Sequence, residues 1–294
     1  MKDINISFID MLLKAVCAMT EGGMEVAMEN RKNQLLSYFT KNIDQPDILI
    51  SEMKRLNVFH LLHNKLDTID RKDALYQNLW SFRQKQLNGA VEQEMIHLHN
   101  MALRHNIRLV FLKGLTLAAE LYDPVEERKF GDIDVLVDHK DIDEFLDLLG
   151  NDGYIDTKDS ILVSSKRKNH YTYAHHLCPF VKSGAYNLCL EVHLCPFCFD
   201  IRRDYKNVDV SQIMNRSRKL FLSEDYIYAL DIDDALIHRL WDFTRNYTYD
   251  IQDMFKSGKH VNPDLSVFFD AVLFIDRHNQ AIDWNSFVSR CKQW

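Results

Sequence analysis

Apolar positions recur at helical spacing over the first hundred residues of the chain. The longest such segment runs from about Ala74 to His105, contains no proline and has Gly89 as its only glycine. Spacings of three and four between apolar residues are typical of amphipathic helices that bury one face. The pattern therefore predicts a helical N-terminal region.

After residue 105 the pattern changes to short β-like runs separated by short helices. Alternation with a period of two is typical of strands, because successive side chains point to opposite faces. The predicted strands are Arg108–Leu112, Lys129–Val137 and Leu188–Leu194, with further candidates at 161–163 and 171–173, and the predicted helices are Leu115–Tyr122 and Asp141–Leu149.

Helical spacing returns from Val210 onwards. The predicted helical segments there are Tyr226–Leu240, Leu265–Ile275 and Trp284–Cys291. The fold class is therefore predicted to be α+β, with a small mixed β-sheet core between two helical regions. The predicted division is an N-terminal helical region (1–104), an α/β core (105–208) and a C-terminal helical region (209–294).

Composition and charge narrow the classes of function. The 294 residues are 46% hydrophobic and 27% charged, and the net charge of -7 argues against a dedicated nucleic-acid binder. No apolar run approaches transmembrane length, and the N-terminus lacks a secretory pattern. Six cysteines without an export signal are expected to stay reduced, so we expect a cytoplasmic protein without a membrane partner.

Two acidic residues interrupt the apolar strand Lys129–Val137. Asp132 and Asp134 lie two positions apart and therefore share one face, while Ile133 and Val135 point to the other. Two adjacent carboxylates repel each other and resist burial unless a cation lies between them. Divalent metals prefer such oxygen ligands, so the pair indicates metal-dependent phosphate chemistry.

A second acidic strand offers a third carboxylate. In Leu188–Leu194, Glu191 and His193 share the face opposite the leucines. Three carboxylates on adjacent strands would hold two Mg²⁺ ions about 3.5–4 Å apart. At this stage His193 is interpreted as a hydrogen-bonded strand histidine in preference to a metal ligand.

A strand–Lys–Gly–helix segment precedes the acidic strand. Gly114 would let the backbone approach a phosphate, and Lys113 would contribute a point charge, although a solvated loop lysine is the alternative.

These motifs together resemble a known family. The segments LKG (Leu112–Gly114), LYDPVEERKFGDIDVLV (Leu121–Val137) and LEVH (Leu190–His193) resemble the uncharacterised nucleotidyltransferase family of the DNA polymerase β superfamily. The resemblance is strongest over residues 105–200 and extends weakly into Leu230–His238.

The resemblance implies roles for individual residues. Asp132 and Asp134 correspond to the paired metal ligands, Glu191 to the third carboxylate and Gly114 to the phosphate-loop glycine. Better-studied members have Gly-Gly/Ser at that loop, whereas this chain has Lys113-Gly114-Leu115, so one phosphate contact is missing. Arg128 resembles the family pattern and is expected to contact phosphate or Asp132, or to be a structural ion-pair partner.

The implied activity is transfer of a nucleoside monophosphate. ATP or another nucleoside triphosphate would be the substrate, two Mg²⁺ ions the cofactors, and the acceptor a small molecule or protein in preference to nucleic acid, with tRNA left open. One alternative is a catalytically inactive protein of the same fold that acts as a nucleotide-binding or regulatory partner. Another is a zinc-stabilised adaptor built around Cys195 and Cys198, with Cys178 and Cys189 nearby.

Overall fold

A computed structural model of the protein describes residues 46–55, 57–62, 71–157, 176–177, 179–197, 208–223, 225–257 and 265–293, together with six positions between 30 and 37. The strand candidates at 161–163 and 171–173 lie outside these described residues. The α+β fold class is confirmed, since a mixed open sheet lies between helical N- and C-terminal regions of the chain.

The helices carry the following bounds. They are α1 (Pro46–Arg55), α2 (Phe59–Leu62), α3 (Arg71–Arg104), α4 (Leu115–Leu121), α5 (Ile142–Asn151), α6 (Val210–Arg216), α7 (Ile232–Ser257), α8 (Leu265–His278) and α9 (Trp284–Gln293). Among the described helices, none combines the length and the apolar composition that a membrane crossing requires.

Within the described residues, seven strands form one mixed sheet. They are β1 (Leu109–Phe111), β2 (Asp132–Val137), β3 (Ile155–Asp156), β4 (Phe180–Lys182), β5 (Leu188–His193), β6 (Arg218–Leu222) and β7 (Asp225–Ala229). Their order is β3-β4-β5-β2-β1-β7-β6, which places β2 at the centre. β2 runs parallel to β5 and antiparallel to β1.

Alternate side chains of β2 face the hydrophobic core and the predicted site. Ile133, Val135 and Val137 are buried in the hydrophobic core, whereas Asp132 and Asp134 lie on the other face. The same core contains the C-terminal half of α3, including Val91 and Leu98. Burying this apolar face fixes the register of β2, because a slip of one residue would exchange its two faces.

The predicted long helix is confirmed as α3, but its apolar stripe is buried only in part. Leu75, Leu79 and Phe82 are each at least 60% exposed, whereas Val91 and Met95 are buried. Spacing alone identifies the apolar face of a helix, and the neighbours that cover this face decide how much of it is buried.

The predicted helix Tyr226–Leu240 is wrong over its first residues, which form β7. Strand β7 buries Ile227 and Ala229 on one face and carries Tyr226 and Tyr228 on the other. An apolar run on both faces satisfies helical and strand spacing alike, so the pattern did not distinguish them. Strand β6 was likewise not predicted, and the β6–β7 hairpin extends the sheet beyond residue 208.

Asp231, the residue before α7, caps this helix. Asp231 Oδ1 accepts a hydrogen bond from the backbone N–H of Asp234 at 2.7 Å. Asp231 and Asp234 also pair with Arg290 of α9, and Asp234 pairs with Arg216 of α6. This network ties α6 and α9 to the start of α7.

Backbone contacts divide the chain into two units. One comprises Met1–Ser81 with Arg239–Ile282, and the other comprises Phe82–His238 with Asp283–Trp294. The second unit contains the whole sheet and every residue of the predicted site. The division at residues 104/105 and 208/209 stays a prediction.

Candidate active site

The parallel pairing of β2 with β5 brings the acidic residues together. Asp134 lies opposite Glu191, and Asp132 lies opposite Cys189. Residues that are opposite each other on paired strands point to the same face. Asp132, Asp134, Glu191 and His193 therefore share one face of the sheet.

A trio of donor groups converges on this face. Donor atoms of Asp134, Glu191 and His193 all lie within 4.8 Å of one another. His193 Nε2 lies 2.8 Å from Asp134 Oδ1 and 3.7 Å from Glu191 Oε2. Asp134 and His193 are buried, whereas the Glu191 side chain is 22% exposed. The most accessible member of the trio is therefore Glu191.

Lys113 adds a second positive group to the same carboxylate. Its Nζ lies 3.2 Å from Asp134 Oδ1, the oxygen that His193 also contacts. Lys113 is held next to the site because it lies in the connection from β1 to α4, where the Leu112 N–H donates to the Asp134 carbonyl. The predicted site residues Lys113 and Asp134 are thus neighbours in the fold.

Gly114 occupies a backbone position that favours glycine. Its φ is +69°, and a Cβ there would lie 3.2 Å from the Asp132 carbonyl oxygen. The turn consequently brings the backbone close to β2 at the first acidic residue. A side chain at this position would force the turn and the strand apart.

Arg128 is hydrogen-bonded to the backbone of this turn. Its guanidinium is buried and donates a hydrogen bond to the Gly114 carbonyl at 3.1 Å. The expected contacts of Arg128 with phosphate stay a prediction.

The electrostatics of the trio follow from these contacts. Burial opposes ionisation of Asp134, but the hydrogen bond from His193 and the charge of Lys113 outweigh it and hold the pKa of Asp134 well below its ordinary value. The contact with His193 lowers the pKa of Glu191. Burial opposes protonation of His193, yet its interactions with Asp134 and Glu191 raise the pKa of the imidazole. The contacts within the trio therefore favour the ionised forms of Asp134 and Glu191 and the protonated form of His193.

Asp132 behaves differently from its partner. Burial and the adjacent Asp134 carboxylate raise the pKa of Asp132, and Lys113 only partly opposes this effect. An additional positive charge on this face would therefore stabilise the ionised form of Asp132 more than that of Asp134, which already has two positive partners.

The residues present fit a divalent cation. Asp134 Oδ2 is buried and, within the part of the chain that the structure describes, accepts no hydrogen bond. A buried carboxylate oxygen ordinarily has a partner. With Glu191 and His193 converging beside it, Asp134 can ligate a metal through this oxygen.

The structure does not favour the zinc alternative. Among the described residues, Cys189 and Cys195 take part in no disulfide, and no candidate metal group contains a cysteine. Burial and the nearby carboxylates raise the pKa of Cys189, which disfavours the thiolate that zinc binds. Cys178 and Cys198 lie outside the described residues.

A second polar cluster in the same unit is bridged by a lysine. Lys182 Nζ lies 2.9 Å from Glu94 Oε1 and 2.8 Å from Asp152 Oδ2, and His97 Nε2 lies 2.9 Å from the other Asp152 oxygen. Tyr154 also donates to Glu94. This lysine-centred network joins α3 to β4 and to the end of α5, and its carboxylates have partners without a metal.

Sequence reasoning identified His193 as a hydrogen-bonded strand histidine but did not identify its partner. The strand histidine is hydrogen-bonded, as expected, and its partner is the central carboxylate. The Glu-x-His spacing of Glu191 and His193, which places both on one face, was the available signal. The contact of Arg128 with a backbone carbonyl left no signal in the sequence.

Comparison with known proteins gives one result that spans most of the chain. A family described as uncharacterised nucleotidyltransferase matches residues 35–294. A search of curated proteins found no significant match. The matched span contains β1 to β7 and all the residues discussed above.

Proposed function

The chain belongs to the uncharacterised nucleotidyltransferase family, and we propose that it transfers AMP from ATP to a hydroxyl or similar acceptor of a small molecule or protein, with release of pyrophosphate. The observation that carries this proposal is the register that sets Asp134 beside Glu191 on adjacent parallel strands. Membership of the family supports nucleotidyl transfer in general. The choice of ATP, Mg²⁺ and acceptor class is part of the proposal.

The carboxylates are the proposed cation ligands. Asp132, Asp134 and Glu191 would hold two Mg²⁺ ions, with Asp134 Oδ2 as the buried oxygen that has no hydrogen-bond partner in the described chain. Bound divalent cations would neutralise charge on the triphosphate and lower the pKa of the acceptor hydroxyl.

The Lys113–Gly114 turn is the proposed phosphate-binding element. Lys113 lies close enough to Asp134 for its ammonium group to reach a phosphate bound at the same carboxylates. Gly114 lets the backbone approach β2 closely, and Arg128 holds that backbone through the Gly114 carbonyl. Arg128 also places a buried positive charge behind the turn, which favours an anion in front of it.

In the proposed transfer, one bond to the α-phosphorus forms and another breaks. The acceptor oxygen forms a bond to the α-phosphorus, and the bond from this phosphorus to the oxygen shared with the β-phosphate breaks. Pyrophosphate leaves with the electron pair of that bond. Glu191 accepts the acceptor proton, since its side chain is partly exposed while that of Asp134 is fully buried. Positioning and charge neutralisation supply most of the rate enhancement, as in phosphoryl transfer generally.

The overall charge supports a compact acceptor. A net charge of -7 repels a long polyanion, and Lys113 and Arg128 are already assigned to the triphosphate in the proposed site. A small molecule or a protein side chain therefore fits better than extended nucleic acid.

The test is incubation with Mg²⁺, cell extract and ATP labelled at either the α or the γ position. Transfer of the α label with release of pyrophosphate supports the proposal, and transfer of only the γ label indicates a kinase instead. The variant Asp134→Asn should abolish the transfer. The matched variant Asp143→Asn, which makes the same change at an exposed position on α5, should retain it.

The contacts of Asp134 also favour a second candidate function. Lys113 and His193 already supply two positive partners to Asp134 Oδ1, and the loop lacks the serine of better-studied members. A nucleotide-binding or regulatory protein without catalysis would have such a neutralised site. ATP that stabilises the protein against heat, without transfer of either label, would favour this second function.

A further inference from the structure

His193 lies beside the carboxylates of Asp134 and Glu191 and offers a nitrogen atom as a further ligand. Building on the proposed function, we propose that His193 supplies a nitrogen ligand to the divalent cation, so that the site binds Mn²⁺ more tightly than Mg²⁺. Mg²⁺ would still bind through the carboxylate oxygens.

The distances within the trio suit a shared cation. Metal–ligand bonds of about 2.1 Å at right angles place the two ligand atoms about 3 Å apart. His193 Nε2 lies 2.8 Å from Asp134 Oδ1 and 3.7 Å from Glu191 Oε2. Donor atoms of all three residues lie within 4.8 Å of one another, so small side-chain shifts would let them share one cation. His193 Nε2 would release its proton when the cation binds.

The ring of His193 is held in place by the sheet. His193 lies opposite Leu136 on β2, one pleat beyond the Asp134–Glu191 pair and on the same face. Its side chain is only 5% exposed, and His176, which forms a β-bridge with it, has its ring centroid 5.4 Å away. A ligand fixed by packing loses little conformational entropy when a metal binds.

Neutralising Asp134 does not by itself account for His193. Lys113 already places an ammonium group 3.2 Å from Asp134 Oδ1, and His193 contacts this same oxygen. Both positive groups thus meet one oxygen, while Asp134 Oδ2 has no hydrogen-bond partner in the described chain. A cation bound by Oδ2, Glu191 and the imidazole would satisfy the buried oxygen.

A nitrogen ligand changes the order of metal affinities. Imidazole binds first-row transition metals well, whereas Mg²⁺ prefers oxygen ligands and dehydrates reluctantly. The mixed set of two carboxylates and one imidazole therefore favours Mn²⁺ relative to a site made of carboxylates alone.

Pulsed electron paramagnetic resonance of Mn²⁺ bound to the full chain tests this assignment directly. Modulation from a directly bound ¹⁴N nucleus is expected, and growth with ¹⁵N-labelled histidine should replace it with the ¹⁵N frequency. This isotope exchange is measured on the wild-type chain, so it is decisive even where a variant fails to fold.

Two variants then locate the nitrogen. His193→Gln should remove the modulation and weaken Mn²⁺ binding by about tenfold, while changing Mg²⁺ binding much less. The matched control His139→Gln, at an exposed position just after β2, should keep both the modulation and the affinity. Circular dichroism of each variant establishes that it is folded.

The outcomes separate this inference from the proposed function. Mn²⁺ that binds without nitrogen modulation, or modulation that survives in folded His193→Gln, overturns the role of His193 and leaves α-label transfer standing. A chain that binds neither Mn²⁺ nor Mg²⁺ and transfers no α label contradicts both.

Discussion

Asp134 and Glu191 face each other across the parallel strands β2 and β5, and His193 Nε2 contacts both carboxylates. This arrangement places three groups of different exposure at one point of the sheet. The side chain of Asp134 is fully buried, whereas that of Glu191 is partly exposed. The consequences of the arrangement can be measured residue by residue.

Replacement of Asp134 by Asn should separate catalysis from folding. The amide keeps the shape of the side chain but loses the charge on which both cation binding and the contact with Lys113 depend. We expect α-label transfer to fall by about 10²-fold or more. Initial rates measured alongside Asp143→Asn check this expectation, and equal rates in the two variants would contradict it.

Replacement of Lys113 by Met should have opposite effects on metal and nucleotide. Lys113 competes with a cation for Asp134, so its removal should tighten Mn²⁺ binding without nucleotide by roughly tenfold. The same change removes a phosphate partner and should weaken ATP binding by roughly tenfold. Calorimetric titration with each ligand measures both effects.

The control for this variant is Lys140→Met, which removes a lysine whose side chain is 74% exposed. Metal and nucleotide affinities should stay at wild-type values there. Weaker Mn²⁺ binding in Lys113→Met would mean that the lysine assists the cation instead of competing with it.

Glycine substitutions should have opposite signs at two positions. Gly114→Ala places a Cβ at positive φ and 3.2 Å from the Asp132 carbonyl, so unfolding free energy should fall by about 1–2 kcal/mol. Gly89→Ala, within α3 and with open space around it, should raise the same quantity by about 0.5–1 kcal/mol. Urea unfolding of both variants gives the comparison. A neutral Gly114→Ala would show that the turn tolerates a side chain.

The Lys182 network should give stability a pH dependence at both extremes. Burial opposes ionisation of Asp152, but the hydrogen bonds from Lys182 and His97 outweigh it and lower its pKa, so this contribution is present above about pH 4 and is lost as pH falls below that value. Burial opposes protonation of Lys182, but its bonds to Asp152 and Glu94 raise its pKa, so this contribution is lost only above about pH 10.4. Unfolding measured across pH should show both losses.

The variant Lys182→Met should reduce both the loss of stability at low pH and the loss at high pH. Lys140→Met provides the matched control, since its exposed lysine should leave the profile unchanged. Identical profiles in wild type and Lys182→Met would exclude the network as their source.

A single sequence predicts the relations within one strand, but it does not predict which strands are neighbours in the sheet. Period-two alternation revealed that Asp132 and Asp134 lie on the same face of their strand and that Glu191 and His193 lie on the same face of theirs, since these relations are local to one strand. That β2 and β5 are neighbours depends on sheet topology, which the resemblance to a family supplied and the residues alone did not.

Relations that depend on packing were the ones missed. Strands β6 and β7 were missed because their apolar residues lie on both faces, which leaves no clear period. The contact of Arg128 with the Gly114 carbonyl joins a side chain to a backbone group, and no residue pattern records such a contact. His193 was recognised as a bonded histidine, but its partner emerged only from the register of the two strands.

The most direct test is transfer of the α label of ATP by the wild-type chain and by Glu191→Gln in the presence of Mg²⁺. The wild type should label an acceptor and release pyrophosphate, and the variant should lose transfer while remaining folded. Equal transfer by both chains, or labelling from the γ position alone, would contradict nucleotidyl transfer at the Asp134–Glu191 pair.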